Sequence, residues 1–258
     1  MNTRSLKPKK TAKTRADQRL VDEGLANSKE QAKALVLAGE VFSGDRRVEK
    51  PGSVISIDAE IHVRERRRFV GRGGEKLKGA LDGFGMDVTG YTILDVGSST
   101  GGFTDCLLQA GAVKSYAVDV GRAQLAEKLR NDRRVVVMEQ TNARYPIDLP
   151  GQVDLVVADV SFISLRLVLP PAIRHLRPGG HVLALVKPQF EAGKEQVGRG
   201  GIVRDPLVQA QAVGGFCLWA ISGDKVSPRA ALRLIGVRAS VIAGEKGNQE
   251  YFVLLRVS

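Results

Sequence analysis

Ile93-Leu94-Asp95-Val96-Gly97-Ser98-Ser99-Thr100-Gly101-Gly102-Phe103 reads as a short apolar strand that breaks into a glycine-rich turn and opens a helix. Gly97, Gly101 and Gly102 carry no Cβ, so the backbone there is expected to come close to a ligand. Outward from this turn the pattern alternates. Strands are predicted over 91–96, 115–120, 135–138, 153–158 and 181–186, and helices over 76–81, 102–110, 123–130, 165–175 and 206–220. A final antiparallel pair is predicted over 232–240 and 251–257. Short apolar strands separated by helices imply an α/β fold: a doubly wound, mostly parallel, seven-stranded Rossmann-like sheet with a reversed strand near one edge.

Two cofactor classes suit such a turn, a dinucleotide and S-adenosyl-L-methionine. The turn departs from G-x-G-x-x-G, because Ser98-Ser99-Thr100 stands where the second glycine would admit a pyrophosphate. Asp95 points the same way: a carboxylate at the strand end attracts a sulfonium or binds its amino group, whereas it would repel a pyrophosphate. S-adenosyl-L-methionine is therefore the expected cofactor, held by Asp95, Gly97, Ser98, Ser99, Thr100, Gly101 and Gly102. Asp119 lies 24 residues beyond Asp95, about where an acidic side chain meets a ribose diol. Asn142, after the third strand, is placed for the adenine or amino-acid end, although an asparagine there also suits a turn.

Charge is distributed unevenly. The chain carries a formal +11, and residues 1–80 hold 19 basic against 11 acidic side chains. That bias points to a polyanion bound by the N-terminal third. After a basic tail over 1–14, expected to be flexible, residues 15–60 read as two short helices followed by small strands, a compact α+β domain. Ser28 is placed to cap the second helix and Gly39 to close it. Arg15 with Arg19, and Lys29 with Lys33, are four apart and share helix faces. The pattern running from Arg15 through Val41 makes roughly 45 residues resemble the small RNA-binding module of ribosomal protein S-four and of many RNA-modifying enzymes, which implies recognition of RNA by shape and backbone. Residues 61–72, IHVRERRRFVGR, form a basic linker in which Arg68 and Arg72 are further candidates for RNA contact, and 73–258 form the catalytic domain.

Cys106 and Cys217 sit in apolar runs without metal-ligand spacing, so neither a disulfide nor a metal site is expected. The N-terminus lacks the apolar core of a signal peptide, and no run reaches the ~18–20 apolar residues of a membrane span. A cytoplasmic location is expected. Oligomeric state leaves no trace in the sequence.

Several motifs converge on one family. Val-Gly-Arg-Gly-Gly-Glu-Lys76-Leu, Ala-Asp159-Val-Ser-Phe-Ile-Ser-Leu, Leu-Val-Lys187-Pro-Gln-Phe-Glu, Val-Gly-Arg-Gly-Gly-Ile-Val-Arg-Asp and Gly-Asn-Gln-Glu250-Tyr-Phe resemble the TlyA (hemolysin A-like) ribosomal RNA methyltransferases. The second domain of that family is similar to FtsJ-type ribose 2′-O-methyltransferases. The resemblance implies a catalytic tetrad at Lys76, Asp159, Lys187 and Glu250, with ribosomal RNA or ribosomal subunits as partner. It places an interdomain tetrapeptide at Arg67-Arg68-Phe69-Val70, with phenylalanine where the family usually has tryptophan. A ribose hydroxyl is a poor nucleophile at neutral pH, and a neutral amine close by removes its proton as the methyl is attacked. Lys187 is the expected base. Lys76 is expected to favour its neutral form by like-charge repulsion, while Asp159 and Glu250 orient the two amines. Two other readings compete: an RNA-binding assembly factor with a vestigial methylase fold, and a membrane-lysing hemolysin, for which the sequence offers no amphipathic or spanning device.

Overall fold

The computed structural model describes residues 12–64, 68–222 and 231–258. The chain divides into two compact units after residue 67.

The first unit contains β1 (Lys13–Arg15), α1 (Ala16–Asp22), α2 (Lys29–Leu37), β2 (Val41–Ser43), β3 (Arg46–Arg47), β4 (Val54–Ser56) and β5 (Ile61–Val63). Strands β1 and β4 pair antiparallel, and a three-stranded sheet runs in the order β3-β2-β5. Ser28 accepts from the Gln31 N–H and starts α2, and Gly39 ends it with φ +73°. The core is Ala16, Leu20, Ala32, Val36, Val41 and Ile61 with their neighbours. Two sequence expectations are corrected here. Lys13 and Thr14, assigned to the flexible tail, join Arg15 in a strand because Lys13–Arg15 pairs with Val54–Ser56. Ile61–Val63, assigned to the linker, is a strand because it pairs with Val41–Ser43 and buries Ile61. The remaining tail residues 1–11 and linker residues 65–67 lie outside the described residues.

The second unit begins with α3 (Arg72–Phe84) and continues through β6 (Thr92–Val96), α4 (Gly102–Gln109), β7 (Lys114–Val118), α5 (Glu127–Arg130), β8 (Val135–Met138), β9 (Val153–Ala158), α6 (Leu165–Ile173), β10 (Leu176–Val186), α7 (Pro188–Glu191), α8 (Pro206–Ile221), β11 (Leu232–Ala239) and β12 (Tyr251–Val257). Its seven strands lie in the order β11-β12-β10-β9-β6-β7-β8, parallel except where β12 pairs with β10 and β11. The central strands are almost wholly apolar because both faces are covered: one core joins α6 and α8 to the sheet, the other α3 and α4. Helix α3 starts four residues earlier than the pattern suggested, inside the expected linker. The helix expected over 123–130 survives only as Glu127–Arg130. The Glu139 carboxylate takes the N–H groups of Ala123, Gln124 and Leu125, so that stretch forms a loop. Among the described residues no helix is long and apolar enough to cross a membrane.

Candidate active site

The carboxyl ends of parallel strands gather the reactive side chains, as in other open α/β sheets. Asp159 follows β9 and Lys187 follows β10. Strand β12 runs the opposite way, so its first residue lies at the same edge: Val186 pairs with Tyr251, which sets Lys187 beside Glu250 at the next step of the register. Lys76 comes from α3, on the face that buries Leu77, Ala80 and Leu81. A lysine there needs a partner, because an unpaired buried charge is costly. Lys76 Nζ donates to Glu250 Oε2 at 2.6 Å, with Lys76 8% and Glu250 2% exposed. Lys187 Nζ donates to Ser161 Oγ at 2.8 Å and lies 2.7 Å from Asp159 Oδ1. The last contact is an ion pair by distance but not by direction, so Asp159 Oδ1 remains buried without a hydrogen bond. The tetrad therefore consists of two lysine–carboxylate pairs. Glu250 faces Lys76 and offsets the like-charge repulsion that the sequence reading assigned to it.

Two cavities flank these pairs. The larger, about 530 Å³, is walled by Gly97, Ser99, Asp119, Gln124, Asn142 and Asp159 among others. The smaller, about 310 Å³, is walled by Lys187, Gln189, Phe190, Lys246 and Glu250. Ser161 and Phe162 belong to both. Phe162 is 89% exposed, holds φ +64° and tilts against Phe190 with ring centroids 5.2 Å apart. A positive φ at a bulky residue is strained, and such strain is typical of functional sites.

Of the residues expected to hold a cofactor, Gly97, Ser99, Asp119 and Asn142 reach the larger cavity. Asp119 braces the turn, accepting from Ser99 N at 2.8 Å and Gly121 N at 2.7 Å. Asn142 Oδ1 accepts from Arg144 N, so the turn-forming role holds beside its place in the wall. Asp95, Ser98, Gly101 and Gly102 are buried behind the wall, and Thr100 is exposed but lies outside it. Asp95 is fully buried: Oδ2 accepts from Thr104 N and Oγ1, Oδ1 has no partner, and burial pushes its carboxyl up to about 7. The glycines serve close packing more than ligand approach. A Cβ on Gly97 would stand 2.6 Å from the Asp159 carbonyl oxygen. One on Gly101 would strike Leu129 at 2.3 Å, and one on Gly102 would meet Gly74 N in α3 at 2.9 Å. This close approach of glycines is what lets α3 bring Lys76 to the sheet.

The expected RNA contacts separate similarly. Lys29 and Lys33 are exposed on α2. Arg15 forms an ion pair with Asp17 at 2.6 Å. Arg19 is buried, donating to Glu23 and to the carbonyls of Ser56 and Ala59, so it braces the first unit and is not free for RNA. In the second unit Arg68 is exposed over the ring of Phe69, and Arg72 donates to the Ala243 carbonyl at 2.9 Å. Phe69 itself is buried under Gly74. Sequence reasoning passed over Gln124, Ser161 and Phe162 as wall residues and Glu139 as the anchor of the 123–125 loop. Ser161 and Phe162 stand inside the motif that carries Asp159, and that was the available signal. No cluster of His, Cys, Asp and Glu suited to a metal occurs among the described residues.

A seven-stranded sheet with a reversed strand beside its edge, a glycine turn after its first strand and an acidic end to its second define the Rossmann-like methyltransferase class. Residues 69–257 match the model for FtsJ-like methyltransferases, and the chain belongs to that family. It is 48% identical over 247 residues to the Bacillus subtilis protein named "Putative rRNA methyltransferase YqxC", covering 94% of this chain and 85% of that one. It is 45% identical over 248 residues to the Mycobacterium tuberculosis protein named "16S/23S rRNA (cytidine-2'-O)-methyltransferase TlyA", covering 95% and 90%. A solved structure described as "Putative hemolysin from Streptococcus thermophilus" superposes with a TM-score of 0.70 at 43% identity, covering 95% of this chain and 89% of that one.

Proposed function

We propose that the chain methylates a ribose 2′-hydroxyl in ribosomal RNA, with S-adenosyl-L-methionine as donor and the first unit as an RNA-binding domain. The observation that carries this reading is the meeting of two lysine–carboxylate pairs where two cavities share Ser161 and Phe162. The larger cavity suits a nucleoside-sized cofactor by volume. Asp119 has lone pairs left for a diol after its two backbone bonds, and Gly97 and Ser99 offer backbone at the opposite wall. When bound, S-adenosyl-L-methionine supplies an electrophilic methyl group on a sulfonium.

The chain's own residues do the rest. The smaller cavity receives the target nucleoside with O2′ toward Lys187. Lys187, once it has given its own proton to solvent, takes the O2′ proton on Nζ as the oxygen attacks, and Asp159, 2.7 Å away, stabilises the ammonium that forms. Ser161 fixes the amine's direction. The Lys76–Glu250 pair is a rigid neighbour that holds Glu250 against the cavity wall. The names of the relatives and the family's chemistry support ribosomal RNA and the 2′-hydroxyl.

Lys187 walls the smaller cavity and not the larger one, which separates chemistry from cofactor binding. Lys187→Ala is expected to lower methyl transfer to ribosomal RNA by at least ~100-fold, as for loss of a general base. Calorimetry with S-adenosyl-L-methionine is expected to give an affinity within about threefold of the parent, below the ~1.4 kcal/mol that makes a tenfold change. Full residual transfer would refute the role of Lys187, and absence of cofactor binding by the parent chain with RNA present would refute the enzyme reading.

A further inference from the structure

The solvent face of the small sheet in the first unit carries a row of flat side chains that neither the tetrad nor the helix lysines account for. Phe42 on β2 pairs directly with Arg47 on β3 and with His62 on β5. Directly opposed residues of antiparallel strands point to the same side, so Arg47, Phe42 and His62 stand in one row. The neighbouring row, Val41 with Val63, turns to the core, and Val41 is fully buried. The rings of Phe42 and His62 are stacked, with centroids 5.8 Å apart and planes 13° from parallel. Arg64, two residues beyond His62, lays its guanidinium over the Phe42 ring at 4.2 Å. Arg46, Arg47, His62 and Arg64 are exposed while Phe42 is half-buried.

We propose that this row is a platform for an unpaired RNA base, which stacks on the outer face of His62 or Arg64 while Arg47 takes an adjoining phosphate. Three observations favour that occupant. The two rings are already nearly parallel and the guanidinium already lies over Phe42, so little side-chain entropy remains to be lost when a base is added. Aromatic rings and arginine planes are the surfaces on which proteins receive splayed bases, and RNA offers such bases in loops. The cations on this side of the sheet are Arg47 and Arg64, complementary to a phosphate backbone. The inference rests on the reading of this unit as RNA-binding and goes beyond it, since shape and backbone recognition through α2 needs no base.

The test uses the full chain and two RNAs of equal length and charge, a hairpin with an unpaired loop carrying 2-aminopurine and a blunt duplex. Tight binding of the hairpin with a change in 2-aminopurine emission is expected. His62→Ala and Arg64→Lys should each weaken hairpin binding about fivefold or more, the scale of one base–aromatic stack, leave duplex binding unchanged and abolish the emission change. Since His62→Ala removes no phosphate-binding cation, the salt dependence of the remaining binding should keep its slope. Melting temperatures within a few degrees of the parent separate a missing stack from a misfolded chain, and Arg64→Lys retains the charge should His62→Ala fail that control. Equal losses on both RNAs, an unchanged emission signal or displacement of the hairpin by polyglutamate of equal charge would overturn the platform. Failure of the parent chain to bind either RNA would instead overturn the RNA-binding reading itself.

Discussion

Burial is the largest influence on the chemistry of Asp95, with the charges of Asp159 and Asp119 acting in the same direction and the Thr104 hydrogen bonds opposing them. Asp95 Oδ2 is satisfied by Thr104, Oδ1 is bare, and the carboxyl titrates near 7 where an exposed aspartate titrates near 3.8. The shift has a sign for stability: below 3.8 the group is neutral folded or unfolded, and as pH rises towards 7 the unfolded chain ionises first, so the folded state loses ground. The full cost is on the order of 4 kcal/mol at pH 8. Asp95→Asn removes the charge but leaves a bare donor, which costs ~1–3 kcal/mol at every pH. The melting temperature of the variant minus that of the parent should therefore rise between pH 5 and pH 8, by several degrees for a chain this size. A pH-independent difference would show that Asp95 stays ionised through hydration or a neighbour. The same residue measures how much a sequence reveals. Its place near the end of a strand was legible, but the sequence reading aimed it at the cofactor, since a one-dimensional pattern does not show that Thr104, nine positions on, turns the carboxylate inward.

At the scale of elements, the position of Lys76 depends on how closely α3 and α4 approach. Gly102 faces Gly71, Gly73 and Gly74, so the two helices touch backbone to backbone. An added Cβ at Gly102 would lie 2.9 Å from Gly74 N and 3.3 Å from Gly71 O, and neither is a flexible side-chain end. Gly102→Ala should therefore destabilise the chain by ~1–3 kcal/mol, the usual cost of overpacking. If the helix shifts to relieve the clash, Lys76 moves from Glu250 and methyl transfer falls with it. A thermal melt together with a transfer assay checks both, and a variant as stable and active as the parent would show that the helices are loosely packed here. The strands and most helices were legible because apolar runs bounded by glycine and polar turns have few alternatives. The four charged positions were legible through their motifs: Asp159, Lys187 and Glu250 each lie one residue outside a strand, and Lys76 lies in the helix that opens at its glycine motif. What the glycines do was not legible, since a sequence shows a missing side chain but not what fills its space. Nor was the short α5, whose first expected turn gives its N–H groups to Glu139, just after the next strand.

For the whole molecule, the 39 lysines and arginines overstate the number of cations free to meet a polyanion. Arg15 is matched by Asp17, Lys76 by Glu250, Arg130 by Glu139 and Arg177 by Asp154. Arg19 is spent on carbonyls 37 and 40 residues away, an interaction invisible in a helix-face pattern, where it looked like the partner of Arg15. The salt dependence of RNA binding separates such structural cations from free ones, because removing one cation that meets a phosphate changes the slope of log K against log salt by ~0.7–0.9. Removing both Lys29 and Lys33, exposed on one face of α2, should flatten that slope by about 1.4–1.8 and leave the melting temperature nearly unchanged. Arg19→Ala should do the reverse. It leaves two carbonyls and Glu23 without their donor, so stability should fall by ~1–3 kcal/mol while the protein that remains folded binds RNA with the parental slope. Titrations of fluorescent ribosomal RNA fragments between roughly 50 and 200 mM salt, the range over which counterion release is steep, resolve the two behaviours. Should Arg19→Ala flatten the slope as the lysine pair does, the arginine would be meeting phosphate directly, and the first unit would have to open around Ser56 and Ala59 to let it.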